Sequence, residues 1–189
     1  MRRLVMWNLL SLDGCFDGPQ QWELDWHVTV WGEELEQFSI DQLREAGALL
    51  FGRVTYQGMA DYWTTATGEI ADFMNSVPKV VFSNTLDAAT WNNTRLLRGE
   101  AADAVAALML ETGKDLFVFG SAKLCDSLMR RGLFDEYRIC LAPIVLGNGS
   151  PLFKPGADRR RLTLIDARPL ATGGIILRYG PFEPGPAAS

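Results

Sequence analysis

Residues 115 to 153 read DLFVFGSAKLCDSLMRRGLFDEYRICLAPIVLGNGSPLF, and the order of apolar, glycine and polar positions in this stretch decides the fold. Leu116 to Phe119 is an apolar run of strand length that ends at Gly120-Ser121, where a helical pattern begins at once. Gly132 stands just past the end of that helix, and a second strand follows from Glu136 to Ala142. The stretch therefore predicts a strand, a helix and a strand.

The junction between this strand and this helix predicts an anion site. The first N–H groups of a helix have no partner within it and, together with the helix dipole, attract negative charge. Gly120 has no Cβ, so a ligand can approach the backbone closely. An ordinary strand-helix-strand unit without a ligand explains the same glycines equally well.

Length and charge restrict the class of protein. The chain has 189 residues, 48% of them hydrophobic, and a net charge of −5, which suits one globular domain. Nucleic acid is a poor partner, because phosphate backbones require clustered cations and the only such run is Arg159 to Arg161. We expect residues 1 to 180 to form a single domain and residues 181 to 189, rich in Pro, Gly and Ala, to form a disordered tail.

Cysteine usage and the N-terminus indicate the compartment. Cys15, Cys125 and Cys140 are widely spaced and odd in number, which favours a reducing environment without a disulfide framework. The apolar start of the chain ends at Ser11 to Gly14, too early for a signal peptide, and no stretch approaches the length of a membrane span. We therefore expect a cytoplasmic protein with no membrane partner.

The remaining sequence alternates strands with helices. Predicted strands are Arg3 to Leu10, Ala48 to Phe51, Pro78 to Phe82, Leu162 to Ala167 and Gly174 to Tyr179, and predicted helices are Glu33 to Ala46, a helix that begins at Gly52, and Glu100 to Glu111. A long loop, Ser11 to Trp31, separates the first strand from the first helix. This alternation predicts a mostly parallel α/β sheet whose last two strands form an antiparallel edge pair.

Polar or flexible residues follow three of the predicted strands. They are Gly52-Arg53 with Thr55, Ser83-Asn84, and Gly120-Ser121. Ligands of open α/β sheets bind at the C-terminal ends of strands, so these groups should meet in one site. The helix after Gly120 would hold a pyrophosphate, while Arg53 with Thr55 or Ser83 would bind a phosphate on the adenosine ribose. The pattern predicts a dinucleotide site that prefers NADPH to NADH.

Five motifs together resemble those of the dihydrofolate-reductase-like superfamily. They are Ser11 to Gly14, Leu50 to Tyr56, Val81 to Asn84, Val118 to Leu124, and Gly132 to Glu136 through Pro143 to Gly147. Within that superfamily the chain is similar to the C-terminal reductase domain of the bacterial riboflavin-biosynthesis deaminase-reductase and its stand-alone relatives. The order and spacing of the motifs fit from about residue 2 to residue 180.

The resemblance implies a three-layer fold, in which helices cover both faces of a central, mostly parallel mixed sheet with antiparallel C-terminal edge strands. It also implies NADPH bound across the strand ends, direct hydride transfer from the nicotinamide, and a homodimer. The phosphate-binding positions carry over onto Gly52, Arg53, Thr55, Ser83, Asn84, Gly120, Ser121, Ala122, Lys123 and Leu124, and the nicotinamide loop onto Ser11, Leu12, Asp13 and Gly14. Asp13 is the candidate for relaying a proton through water, or else it caps the Leu12 to Gly14 turn.

The chain departs from the superfamily at two points. Dihydrofolate reductases usually have a Gly-Gly pair joined by a cis peptide where this chain has Gly120-Ser121, which leaves the geometry of this bond open. The carboxylate that orients the pterin in those enzymes has no assigned counterpart. Candidates in the corresponding region are Asp25, Glu33, Glu34 and Glu36.

The first part of the chain bears on the substrate. Leu4 to Leu43 contains eight carboxylates and no lysine or arginine, and it should form much of the substrate wall. A ribose phosphate normally requires cations, so either Lys154 or Arg159 to Arg161 reaches in, or the substrate is uncharged or cationic. We expect a divergent substrate. Aromatic side chains that would either hold a flat ring or pack in the core are Trp7, Trp22, Trp26, Trp31, Phe38 and Trp63.

Other chemistries find little support. His27 is the only histidine and has no neighbouring serine or cysteine, which favours a structural role. The H-x-E and P-C-x-x-C motifs of a zinc deaminase are absent from the sequence, so no metal site is predicted and only the reductase half of the riboflavin enzyme is expected. The predicted function is an NADPH-dependent reductase of a small heterocycle. The alternative is a non-catalytic nucleotide-binding protein that kept the fold without turnover.

Overall fold

The computed structural model describes residues 1–156 and 158–182, so the predicted tail lies mostly outside the described residues. The strands are β1 (Leu4–Leu10), β2 (Cys15–Asp17), β3 (Ala46–Gly52), β4 (Lys79–Phe82), β5 (Thr94–Leu97), β6 (Asp115–Phe119), β7 (Glu136–Leu141), β8 (Ser150–Pro151), β9 (Leu162–Pro169) and β10 (Ile175–Pro181). The α-helices are α1 (Glu33–Glu45), α2 (Arg53–Trp63), α3 (Glu69–Ser76), α4 (Ala101–Leu110) and α5 (Ala122–Arg130).

Within the described residues, eight strands form one mixed sheet in the order β5-β4-β3-β6-β1-β7-β10-β9. The six strands from β5 to β7 are parallel. Both β10 and β9 are antiparallel to their neighbours. The predicted sheet with its antiparallel C-terminal edge is confirmed. Because the parallel strands run in one direction, the C-terminal ends of β4, β3, β6 and β1 lie along the same edge.

Helices cover both faces of the sheet, as predicted, because the central strands are apolar on both sides. One core joins the sheet to α4 and α5 through residues that include Leu4, Leu50, Val105, Val118 and Leu128. The other joins it to α1, α2 and α3 through residues that include Val5, Leu43, Leu49, Met74 and Phe117. α5 ends at the predicted point, where Gly132 adopts the left-handed conformation with a φ of 65°.

The sequence prediction missed α3, β2, β5 and β8. β5 has no fully buried residue and lies at the sheet edge. The predicted loop Ser11 to Trp31 contains β2 and a 3-10 helix, Asp25–Thr29. β2 pairs with β8, more than a hundred residues away in sequence, so no local sequence pattern predicts it. Among the described residues, each helix is too short or too polar to cross a membrane.

Candidate functional site

A cavity of about 840 Å³ lies at the C-terminal ends of the parallel strands. Its wall includes Phe82, Gly52 and Phe119, which end β4, β3 and β6, and also Trp7 to Leu9 of β1. The three predicted strand ends therefore do meet in one place. This volume is in the range of small-molecule and cofactor sites.

Three helices begin at this cavity, and none of their N-cap residues makes a side-chain capping bond. The N-cap residues are Gly52 for α2, Glu100 for α4 and Ser121 for α5, and all three line the cavity. An uncapped helix N-terminus leaves N–H groups that favour an anion. The Glu100 carboxylate disfavours an anion at α4, so α2 and α5 are the better anion sites.

The Gly120-Ser121 junction has a trans peptide, and both residues have a positive φ, 62° and 59°. Ser121 is buried, and its hydroxyl accepts a hydrogen bond of 3.1 Å from the Gly52 N–H. This bond joins the end of β6 to the end of β3. A Cβ at Gly120 would lie 3.2 Å from Cγ2 of Thr55, a tight contact, so glycine fits best between the two helix starts. Ala122, Lys123 and Leu124 of the first turn of α5 also line the cavity.

The other predicted phosphate ligands also line the cavity. Arg53 is exposed at the start of α2 and donates to the Gln57 side chain over 2.9 Å, and Thr55 stands half-buried beside it. The Ser83 hydroxyl accepts the N–H groups of Thr85 and Leu86. The side-chain amide oxygen of Asn84 accepts a hydrogen bond of 2.8 Å from the Gly99 N–H. The side chains of Ser83 and Asn84 thus already bond to the backbone of the segments that follow β4 and β5.

The predicted nicotinamide loop is not part of the described cavity wall. Among the described residues that line the cavity, Ser11, Leu12, Asp13 and Gly14 do not occur. Asp13 accepts hydrogen bonds from the Ser11 hydroxyl and from the N–H groups of Leu146 and Gly147, and these bonds lower its pKa to about 2. The proton-relay hypothesis for Asp13 therefore finds no support in this geometry, since the carboxylate holds two loops together. Leu12 is exposed and Ser11 is buried.

Aromatic side chains form much of the remaining wall. Trp7, Trp22, Trp31 and Trp63 line the cavity, whereas Trp26 and Phe38, named with them from the sequence, are not among its described lining residues. Trp26 is buried in the core, and Phe38 packs against Trp7 with ring centroids 5.3 Å apart. The part of the chain from Leu4 to Leu43 supplies much of the wall, as predicted.

Trp22 holds the loop after β2 against α2. A Cβ at Gly58 would lie 2.1 Å from the Trp22 ring, so the indole rests directly on the glycine backbone. The backbone of Trp22 also has a φ of 67°, a conformation that residues other than glycine rarely adopt. The loop thereby becomes one side of the cavity, to which it contributes Gln21, Trp22, Leu24, His27 and Trp31.

The cavity also contains a carboxyl group that sequence reasoning did not single out. Asp17, the last residue of β2, lines the wall, and burial raises its pKa to about 6. The four acidic residues considered from the sequence are not among the described lining residues. One of them, Glu34, instead accepts the Ala171 N–H and pairs with Arg168. Pairing of β2 with distant β8 places Asp17 here, and no local sequence signal reports that contact.

Two polar atoms in the wall have no hydrogen-bond partner among the described residues. They are Nδ2 of Asn8, a residue that is 4% exposed on β1, and Nε2 of His27. Burial lowers the pKa of His27 to about 4, so its ring is neutral at pH 7. Buried polar groups in proteins are usually paired, so these two atoms are free to bond a ligand or water in the cavity.

The family assignment agrees with this geometry. The family model of the RibD C-terminal domain matches residues 2–176. The chain belongs to the RibD C-terminal domain family. Among its relatives, Uncharacterized protein YyaP of Bacillus subtilis is 27% identical over 183 residues, which cover 94% of each chain.

Solved structures show the same fold as this RibD C-terminal domain. A protein from Shewanella sp. PV-4 assigned to riboflavin biosynthesis superposes with a TM-score of 0.77 at 20% identity, covering 96% of this chain and 99% of its own. Dihydrofolate reductase from Enterococcus faecalis, complexed with NADP(H), superposes with a TM-score of 0.63 at 11% identity, covering 96% and 97%. The predicted dihydrofolate-reductase-like fold is confirmed.

Proposed function

We propose that this RibD C-terminal domain is an NADPH-dependent reductase that transfers a hydride to a small heterocyclic substrate. One observation carries the proposal: uncapped N-termini of α2 and α5, together with Arg53, open into a cavity that continues into an aromatic wall. Anion sites beside a flat apolar pocket suit a dinucleotide and a ring. The family is the reductase domain of riboflavin biosynthesis, which supports a reductase-type reaction.

The residues present fit NADPH. The N–H groups at the start of α5 would bind the pyrophosphate, and the missing Cβ of Gly120 keeps that approach clear. Arg53, with Thr55 and the start of α2, would hold the phosphate on the adenosine ribose. NADPH supplies the hydride, and the protein supplies binding, orientation and exclusion of water.

Cofactor binding is tested by thermal unfolding with NADPH, with NADH and without ligand. At a hundredfold excess over Kd, NADPH should add about 2.7 kcal/mol to the free energy of unfolding, which corresponds to a Tm increase of about 5 to 10 °C. Arg53→Ala should weaken NADPH binding by about 10- to 100-fold, because charge-assisted hydrogen bonds are lost, and should change NADH binding by about twofold or less.

Arg95→Ala is the matched control, because Arg95 is an exposed arginine of β5 outside the cavity wall. No Tm increase with either cofactor would refute the reductase proposal. Equal losses of NADPH and NADH affinity in Arg53→Ala would show that Arg53 does not bind the additional phosphate. Oxidation of NADPH with a substrate then separates an enzyme from a nucleotide-binding protein without turnover.

A further inference from the structure

We propose that Asp17 selects the substrate, by pairing with N–H donors or positive charge on a flat ring that carries no phosphate. The inference rests on the proposed reductase function and specifies its substrate class. It follows from where Asp17 lies, from where the cations of the cavity lie, and from the groups around both.

Asp17 is a carboxyl group without a cation. It ends β2, opposite Ser150 of β8, and both residues line the cavity. Among the described residues, no lysine, arginine or histidine forms an ion pair with it. Glu23 lies nearby, and its negative charge repels that of the Asp17 carboxylate. A half-buried carboxylate can accept several hydrogen bonds, and the open side of the cavity is where a ligand would supply them.

The cations of the cavity lie at the strand ends. In the described wall, the lysine and arginine side chains are Arg53 at the start of α2 and Lys123 in the first turn of α5. Both stand at the helix N-termini that would hold the phosphates of the cofactor. Once these are occupied, a phosphate on the substrate would find no free cation in the described wall.

The two other cationic sources that the sequence offered lie outside this wall. Lys154 is not among the described lining residues. Arg160 donates to the backbone carbonyl of Met129, and Arg161 stacks on Phe182 with its guanidinium carbon 3.9 Å from the ring centre. Of the two alternatives left open by the sequence, the geometry supports an uncharged or cationic substrate.

The surroundings of Asp17 fit a flat ring. The loop that follows it supplies the indoles of Trp22 and Trp31 and the neutral imidazole of His27 to the same cavity. A planar group with two adjacent N–H donors can meet both oxygens of a carboxylate at once, as an amidinium does. Anionic rings would instead meet an unpaired carboxylate, and the repulsion excludes them.

Benzamidinium and benzoate test this inference, because the two probes have nearly the same shape and opposite charge. Tryptophan fluorescence and Tm would follow each probe on the NADPH-saturated protein and on the free protein. We expect millimolar binding of benzamidinium, no binding of benzoate, and about tenfold or greater loss of benzamidinium affinity in Asp17→Asn. Asp25→Asn is the control, since Asp25 is exposed in the same loop and is not among the lining residues.

Three results would overturn the inference: benzoate binding as tightly as benzamidinium, no benzamidinium binding to the unmodified protein, or equal binding to Asp17→Asn. A fourth is turnover of 5-amino-6-(5-phosphoribosylamino)uracil with a higher kcat/KM than its dephosphorylated form. A failure of the reductase proposal would be recognised separately. In that case NADPH would not raise Tm, while the free protein would still bind benzamidinium in preference to benzoate.

Discussion

The surroundings of Asp17 oppose its negative charge. The ionised carboxylate should therefore lower the free energy of unfolding. Burial raises its pKa from 3.8 to about 6, so between these values the folded state binds the proton more tightly than the unfolded chain. Its contribution to stability is complete below about pH 4 and is lost as the pH rises through about 6. A neutral side chain at this position avoids that loss.

Asp17→Asn is therefore expected to raise Tm by a few degrees at neutral pH and to leave it unchanged well below the ordinary pKa of the carboxyl group. Thermal unfolding followed by circular dichroism across the acidic and neutral range measures the difference. Asp25→Asn should show no such pH-dependent gain. A lower Tm of Asp17→Asn at neutral pH would contradict the prediction and would give the carboxylate a structural role.

Asp13 and Asp17 show what a sequence can and cannot predict about a single residue. Both are aspartates near the end of the first strand, and the motif around Asp13 drew attention to that one. Distant contacts separate them: the N–H groups of Leu146 and Gly147 stabilise the charge of Asp13, whereas burial beside β8 opposes the charge of Asp17. Arg53 and Gly120 were predictable, because their positions at strand ends are local features of the sequence.

At the scale of elements, the end of α3 depends on one buried lysine. Lys79 of β4 is 1% exposed, and its ammonium group donates to the carbonyl oxygens of Met74, Asn75 and Val77 over 2.8, 3.2 and 2.8 Å. It also lies 4.6 Å from the ring centre of Trp91. The last carbonyl groups of a helix have no partner within it, so this ammonium group caps α3.

Lys79→Met should lower the free energy of unfolding by about 3 kcal/mol, because buried carbonyl groups lose a charged donor. Urea unfolding measures the change. Lys114→Met is the matched control: Lys114 is exposed and donates to the single carbonyl of Arg44, so its loss should cost about 0.5 kcal/mol or less. Equal costs for the two variants would show that the α3 contacts contribute little.

The elements that the sequence predicted and missed differ in where their stabilising contacts lie. β1, β3 and β6 are apolar along their length because both faces are buried, and such runs are visible in sequence. Lys79 lies in an otherwise apolar strand, and its burial depends on the carbonyl groups of α3. β5 has three half-buried residues and one exposed residue, and four positions are too few for a recognisable pattern.

At the scale of the whole molecule, the edge of the sheet formed by β9 is exposed on both faces. β9 is the last strand of the sheet, and the consecutive residues Leu164 and Ile165 are 53% and 52% exposed. All residues of β9 after Leu162 are exposed, so neither face of this strand is covered by a helix. An exposed apolar edge strand is a ready template for pairing with another chain.

We therefore propose that the chain forms a homodimer, as the family resemblance implied, and that β9 contributes to the contact. Sedimentation velocity should give the mass of a dimer for the unmodified protein and a shift toward monomer for Ile165→Lys. Leu110→Lys is the control, because Leu110 is exposed at the end of α4 on a different part of the surface. A monomer at all concentrations would refute the proposal.

The sheet has two parts that differ in their relation to the cavity. The parallel strands β4, β3, β6 and β1 end at the cavity, whereas the antiparallel pair β10 and β9 continues the sheet away from it. Substitutions on the outer pair can therefore accumulate without disturbing the helix starts where phosphate would bind. Evolution could vary the assembly of such a chain and its chemistry independently. Because Asp17 lies on the short β2, outside both groups of strands, a new substrate preference could arise without a change in either group.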